Sequence, residues 1–137
     1  MAFIQWSDKL SVSVRTIDEQ HKRLIGIVND IHATVVAGAE RTALNRIFDE
    51  LISYTVYHFR TEEEFFEKYR YTDRELHKSQ HNELTQKALE LQETYQQGSA
   101  TVSYEVLDFL HDWLVTHIIG SDRQFGKFLA ARGAAAV

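Results

Sequence analysis

The chain has no cysteine and no proline, and its 15 lysines and arginines are outnumbered by 20 aspartates and glutamates. Without cysteine there is no disulfide framework, thiolate metal site, iron–sulfur ligation or cysteine nucleophile. A net charge of −5 argues against a nucleic-acid partner, whose affinity depends on neutralising phosphates with Lys and Arg. The longest uncharged stretches fall well short of the ~20 apolar residues that cross a bilayer, so no membrane insertion is expected. The first residues, Met1-Ala2-Phe3-Ile4-Gln5-Trp6-Ser7-Asp8, lack the basic start and apolar stretch of a secretory signal, which points to the cytoplasm. Low-complexity segments, charge blocks and internal repeats are also missing. What is present is a chain of 137 residues, 44% apolar and 26% charged, suited to one domain with a core that needs no staples. Its unusual feature is the 7 histidines.

Hydrophobic periodicity predicts helices. Thr16-Ile17-Asp18-Glu19 has the capping-box pattern, and Ile17, His21, Leu24, Val28, Ile31 and Val35 then step by threes and fours to Gly38. A second stripe runs Leu44, Ile47, Leu51, Thr55, His58, Glu62, Phe65. Thr72-Asp73-Arg74-Glu75 is another capping box, opening a stripe of His77, His81, Leu84, Ala88, Leu91 and Tyr95 that stops at Gly98. The fourth contains Val106, Leu110, Trp113 or Leu114, and His117. Expected helices cover about 17–38, 41–69, 72–97 and 103–119, with a short C-terminal helix at about 121–131. Links near 38–41, 70–72 and 98–102 are short, and short links make antiparallel neighbours. The expectation is an all-α, up-down-up-down antiparallel four-helix bundle, a single domain over 1–137. Residues 1–16 form an N-terminal arm, and the tail from Arg132 to Val137 is frayed.

Five histidines, at 21, 58, 77, 81 and 117, lie on the apolar stripes. One histidine there is more often a satisfied core residue than a ligand, but burying five imidazoles is costly unless each finds a partner. His58 and Glu62 are four apart, as are His77 and His81, so each pair shares one helix face. Either pair alone is weak evidence. Depth along the bundle is more telling. The midpoints of His21 and His58, of Glu62 and His77, and of His81 and His117 all fall at or in the links. Residues equidistant from an antiparallel turn sit side by side, so all four helices bring polar residues to one layer. Asp122 is five beyond His117, about 140° around a regular α-helix. It joins the layer only if the helix is locally widened or broken; Gly120 between them eases either, and π-bulges do occur at functional sites. Spacing alone leaves Asp122 divided between a ligand and a solvated acid.

Nitrogen and oxygen donors without sulfur suit iron, copper or zinc. Seven protein ligands exceed one octahedral ion, so two ions are implied, bridged by carboxylates. With a bridging oxygen as well, five histidines divide three and two, leaving one position open for a small molecule.

The series His21, His58-x-x-x-Glu62, His77-x-x-x-His81 and His117-x-x-x-x-Asp122 resembles the hemerythrin signature in order and spacing. The surroundings Gln20-His21-Lys22 and His58-Phe59-x-x-Glu62-Glu63 are similar to the single-domain bacterial members. The resemblance implies a non-heme di-iron centre with an oxo or hydroxo bridge. His77, His81 and His117 would hold the coordinatively full iron, and His21 and His58 the five-coordinate one, with Glu62 and Asp122 bridging. It implies reversible dioxygen binding for transport, storage or delivery, not catalysis, in a pocket of Leu24, Phe59, Trp113, Leu114 and Ile118. The expected state is a monomer, with an oxygen-consuming enzyme as a separate recipient. Alternative readings are oxygen or redox sensing through a separate partner, or a di-iron redox enzyme or iron store. The ferritin-like class of the last uses Glu-x-x-His motifs. This chain has none, the nearest being Asp18-x-x-His21 and Asp108-x-x-His111. Two departures from the family lie in connecting segments: Ser13 near a frequent glycine, and Arg70-Tyr71-Thr72 where Gly-Tyr-Pro is frequent. His32 and His111 fall outside the signature and read as structural or surface residues.

Overall fold

A computed structural model describes residues 3–38, 41–96 and 104–133, with the side chains of 41–42, 94–96 and 104–106 excepted. The expected Gly98 stop, the side chains of Tyr95 and Val106, the link at 98–102 and most of the tail lie outside the described residues. Helices are α1 (Arg15–Val36), α2 (Arg41–Lys68), α3 (Arg74–Gln96), α4 (Tyr104–His117) and α5 (Arg123–Ala131). Helix α1 packs on α2 and α4, and α2 packs on α3, as an up-down-up-down four-helix bundle requires. No helix among the described residues is long and apolar enough to cross a membrane.

The starts of α1 and α3 differ from expectation because neither capping box sits where its pattern puts it. Helix α1 begins at Arg15 behind the extended Val14, which makes no side-chain cap. Its first-turn acid, Asp18, reaches back to the arm instead, accepting from Ser11 Oγ at 2.6 Å and Val12 N at 2.8 Å. Helix α3 begins at Arg74, and the His77 N–H donates to the Asp73 carbonyl at 3.0 Å, so Asp73 rather than Thr72 stands at the cap position.

Helix α2 ends in a Schellman motif. The Tyr71 N–H donates to Phe66 O at 2.9 Å and the Arg70 N–H to Glu67 O at 3.3 Å. Arg70 occupies the left-handed position at φ 53°, where glycine is usual. The Tyr71 and Phe66 rings, 5.5 Å apart, supply the accompanying apolar contact.

The largest departure is at the end of the bundle. Helices α4 and α5 are not separate elements but one rod from Tyr104 to Ala131, interrupted by a π turn at Ile118–Asp122. The expected break near residue 120 is a widening of the helix. The arm braces this stretch: Arg123 donates to the Lys9 carbonyl. A Cβ on Gly126 would meet Val12 O at 2.0 Å, so only glycine lets the arm backbone lie so close.

Ile4, Leu10, Val12 and Val14 of the arm are buried with Ile17, Ile27, Ile31, Leu107, Phe125 and Leu129 in one core. The Ile4 N–H donates to Asn29 Oδ1 at 2.7 Å, and Asn29 Nδ2 donates to Ile4 O at 2.9 Å. Phe3 stacks on His32 at 4.4 Å and meets His111 edge-on at 5.3 Å. Those two histidines thus pack against the arm and are not members of the polar layer.

Candidate metal centre

Inside this apolar bundle lies one layer of polar side chains. His21, His58, Glu62, His77, His81, His117 and Asp122 are all buried, and Glu62 is 0% exposed. Helix α1 brings His21, α2 brings His58 and Glu62 one turn apart, α3 brings His77 and His81, and α4 brings His117. The π turn brings Asp122, since the extra residue in that turn cancels much of the 140° offset of a regular helix. Sequence spacing left this residue open, and local backbone geometry decides it.

The two carboxylates stand between two sets of imidazoles. Glu62 Oε1 lies 2.7 Å from His58 Nε2 and 3.7 Å from His21 Nε2, while its Oε2 lies 3.5 Å from His77 Nε2 and 3.4 Å from His81 Nε2. Asp122 Oδ2 is 2.9 Å from His21 Nε2, and its Oδ1 is 2.8 Å from His77 Nε2 and 3.1 Å from His117 Nε2. Each carboxylate therefore offers one oxygen to each side. One group that could hold an ion is Glu62, His77, His81, His117 and Asp122; the other is His21, His58, Glu62 and Asp122.

The donor set suits cations. His21 Nε2, His58 Nε2, His81 Nε2, both Glu62 oxygens and Asp122 Oδ2 are buried without a hydrogen-bond partner despite their short separations. Leaving such groups unsatisfied costs roughly 1–3 kcal/mol each, more for charged ones. Convergent nitrogen and oxygen lone pairs satisfied by metal ions remove that cost.

Electrostatics agree. Burial is the largest influence on His21 and pushes its imidazole down, but Asp122 and Glu62 together outweigh it and hold it at about 9. Burial likewise opposes the charge on His81, yet Glu62 and Glu63 raise it to about 9. For His58 burial wins over Glu62 and the net direction is down. Burial raises Glu62, but His58, His21 and His81 hold it well below the carboxylate range. Asp122 also lies far below that range, because His117 and His21 overcome burial and the Glu62 charge. The layer keeps two anionic carboxylates in a buried site.

A cavity of about 30 Å³ opens on this layer. Its lining repeats a step of three and seven residues on each of α1 to α4: Leu24 and Val28 from His21, Thr55 and Leu51 from His58, Leu84 and Ala88 from His81, Leu114 and Leu110 from His117. At 1.5 Å per residue, those steps carry it about 10 Å along the bundle. Phe59 and Trp113 complete the lining with His21, His58, His117 and Asp122 of the polar layer. Of the expected pocket residues, Leu24, Phe59, Trp113 and Leu114 line it. Ile118 does not; it is 0% exposed in the core, turned about 100° from His117 at the start of the π turn.

Gln20, Glu63 and Phe66 also belong to the site, and spacing did not single them out. His58 Nδ1 lies 2.6 Å from Gln20 Oε1, and His81 Nδ1 lies 3.1 Å from Glu63 Oε2. Phe66, fully buried, packs 4.7 Å from His77. Gln20 and Glu63 adjoin ligands in sequence, but that alone says nothing about which histidine each reaches.

The fold and the layer together define a metal-binding four-helix bundle with a histidine and carboxylate site. Residues 12–129 match the family model described as the hemerythrin HHE cation binding domain. The chain is 35% identical over 132 residues to the bacteriohemerythrin of Methylococcus capsulatus, covering 96% of this chain and 100% of that one. It is 33% identical to that of Stenotrophomonas maltophilia (96% and 84% covered) and 32% identical to a hemerythrin-like protein of Naegleria gruberi (88% and 88%). A wild-type hemerythrin crystal structure superposes with a TM-score of 0.89 at 34% identity, covering 94% of this chain and 99% of that one. The chain belongs to the hemerythrin family.

Proposed function

We propose that this chain binds dioxygen reversibly at a di-iron centre held by His21, His58, Glu62, His77, His81, His117 and Asp122, as an oxygen carrier, store or delivery protein. The observation that carries the reading is where the cavity lies. It borders both His21 and His58, the side with two imidazoles, whereas only His117 of the other three reaches it. By donor count that side would be one ligand short, so an ion held there would have room for a further ligand on the side of the apolar volume. An iron pair bound there supplies electrons and a coordination position for dioxygen.

The remaining work belongs to the side chains. Leu24, Leu114, Phe59 and Trp113 keep water out of the space beside His21 and His58. Apart from ligands, Thr55 is the one polar residue among the described residues of the lining. With no acid aimed into the pocket other than the ligand Asp122, proton delivery is poor, which favours release of oxygen unchanged over its loss in reduced form. Glu62 and Asp122 hold the two halves together, and no step requires an enzymatic acid or base. A cytoplasmic location, a monomer and an oxygen-consuming recipient enzyme are parts of the same proposal.

Visible spectra of the iron-loaded protein, cycled between nitrogen and air, test it. A band that forms in air and vanishes under nitrogen over repeated cycles is expected. Oxidation that does not reverse would favour the redox-enzyme or sensor readings.

A further inference from the structure

Each ligand imidazole has a second ring nitrogen facing away from the layer, and at His58 and His81 the partners of that nitrogen differ in kind. His58 Nδ1 meets Gln20 Oε1 at 2.6 Å, and Gln20 is buried. The Gln20 amide is oriented from behind. Thr61 Oγ1 donates its single proton to the Tyr57 carbonyl at 3.1 Å, so toward Gln20 Nε2, 3.3 Å away, it only accepts. Gln20 therefore turns its carbonyl oxygen to His58. A carbonyl only accepts, so Nδ1 carries the proton and Nε2 keeps its lone pair for the layer.

At His81 the same result has a different source. Nδ1 faces the Glu63 carboxylate at 3.1 Å, and Phe59 stacks on the ring at 3.8 Å with the planes 5° apart, fixing its orientation. Nδ1 donates and Nε2 again points inward, 3.4 Å from Glu62 Oε2. Here, however, the outer partner is an anion rather than a neutral dipole. Outer carboxylate partners raise the basicity of a metal-bound imidazole.

We propose that Gln20 and Glu63 are positioning residues that fix His58 and His81 as Nδ1–H tautomers, and that their unequal charge makes the His81 half the more electron-donating. The proposal rests on reading the seven residues as a di-iron centre. Glu63 is accessible to change without disturbing the core. Its side chain is 34% exposed, at the wall of an open groove between α2 and α3 shared with Arg60, Glu64 and Lys78.

Glu63→Gln keeps the acceptor oxygen and the size but removes the charge. The expected result is two irons per chain, an unchanged unfolding midpoint and a reduction midpoint moved positive. The shift should be about 59 mV for each tenfold loss of preference for ferric over ferrous iron. Glu63→Leu, which removes the acceptor as well, should weaken metal binding about 10- to 100-fold. Ring-nitrogen NMR of the zinc-loaded wild type gives a readout independent of iron: both His58 and His81 should show Nδ1–H signals. A Glu63→Gln protein with two irons and the wild-type potential would overturn the proposal, as would an Nε2–H signal from either histidine. If that variant loads fewer irons, the NMR result decides. A wild-type chain that takes up neither iron nor zinc would instead overturn the di-iron reading and this proposal with it.

Discussion

The two halves of the polar layer use the same kinds of donor in different surroundings. His77, His81 and His117 are enclosed by rings: Phe66 lies 4.7 Å from His77, Phe59 stacks 3.8 Å from His81, and Trp113 stacks 4.9 Å from His117. His21 and His58 meet each other edge-on at 4.7 Å, and both line the apolar cavity. One half has three imidazoles, of which only His117 lines the cavity; the other has two, and both line it. On the proposed reading, the donors would hold the metal pair, and the packing beside them would decide which half admits a small molecule.

The sharpest way to break this comparison is Glu62→Ala, which removes the oxygens facing both halves. Iron content should fall from two per chain to one or none by metal analysis, and retention of two would contradict the bridging role. Phe66→Ala strikes the enclosed half from within the core. It should cost about 3–5 kcal/mol in urea unfolding, the usual range for a buried phenylalanine. A loss under ~1 kcal/mol would mean that the rings around His77 and His81 are not tightly packed. Leu114→Ala strikes the open half, costing about 2–4 kcal/mol while enlarging the cavity. Autoxidation in air should be faster, and an unchanged rate would remove Leu114 from the pocket account.

The smallest effects should come from outside both halves. Ser13 and Arg70 hold φ of 64° and 53°, in the left-handed region that costs a non-glycine residue roughly 1–2 kcal/mol. Ser13→Gly and Arg70→Gly should each stabilise the chain by about 0.5–1 kcal/mol, because glycine's greater freedom when unfolded offsets part of the relief. Iron content should not change, and a destabilisation by either substitution would contradict the strain argument.

How much of this was legible in the sequence follows the regularity of the backbone. On α1, α2 and α3 the 3.6-residue period holds, so His21, His58, Glu62, His77 and His81 fall into one layer by arithmetic on the links. Asp122 does not, because its placement depends on the π turn, and no side-chain period encodes an extra residue in one turn. Ile118 faces the core instead of the cavity because the next position along a helix is turned about 100° from His117. The start of α1 depends on the arm as well as on the local pattern: Asp18 accepts from Ser11 and Val12, and the helix begins at Arg15 behind the extended Val14, before the Thr16 pattern. Gln20 and Glu63 escaped because their partners, His58 and His81, lie on other helices. Only the tertiary pairing of α1 with α2, and of α2 with α3, brings them together.

The central claim is that the open, two-histidine half of a di-iron layer takes up dioxygen and gives it back. The direct measurement is the dioxygen bound per chain of known iron content, followed by its recovery when oxygen is removed. The account predicts two irons, one dioxygen bound, and that dioxygen released intact. One ion per chain, zinc in place of iron, or uptake from which no dioxygen returns would contradict it.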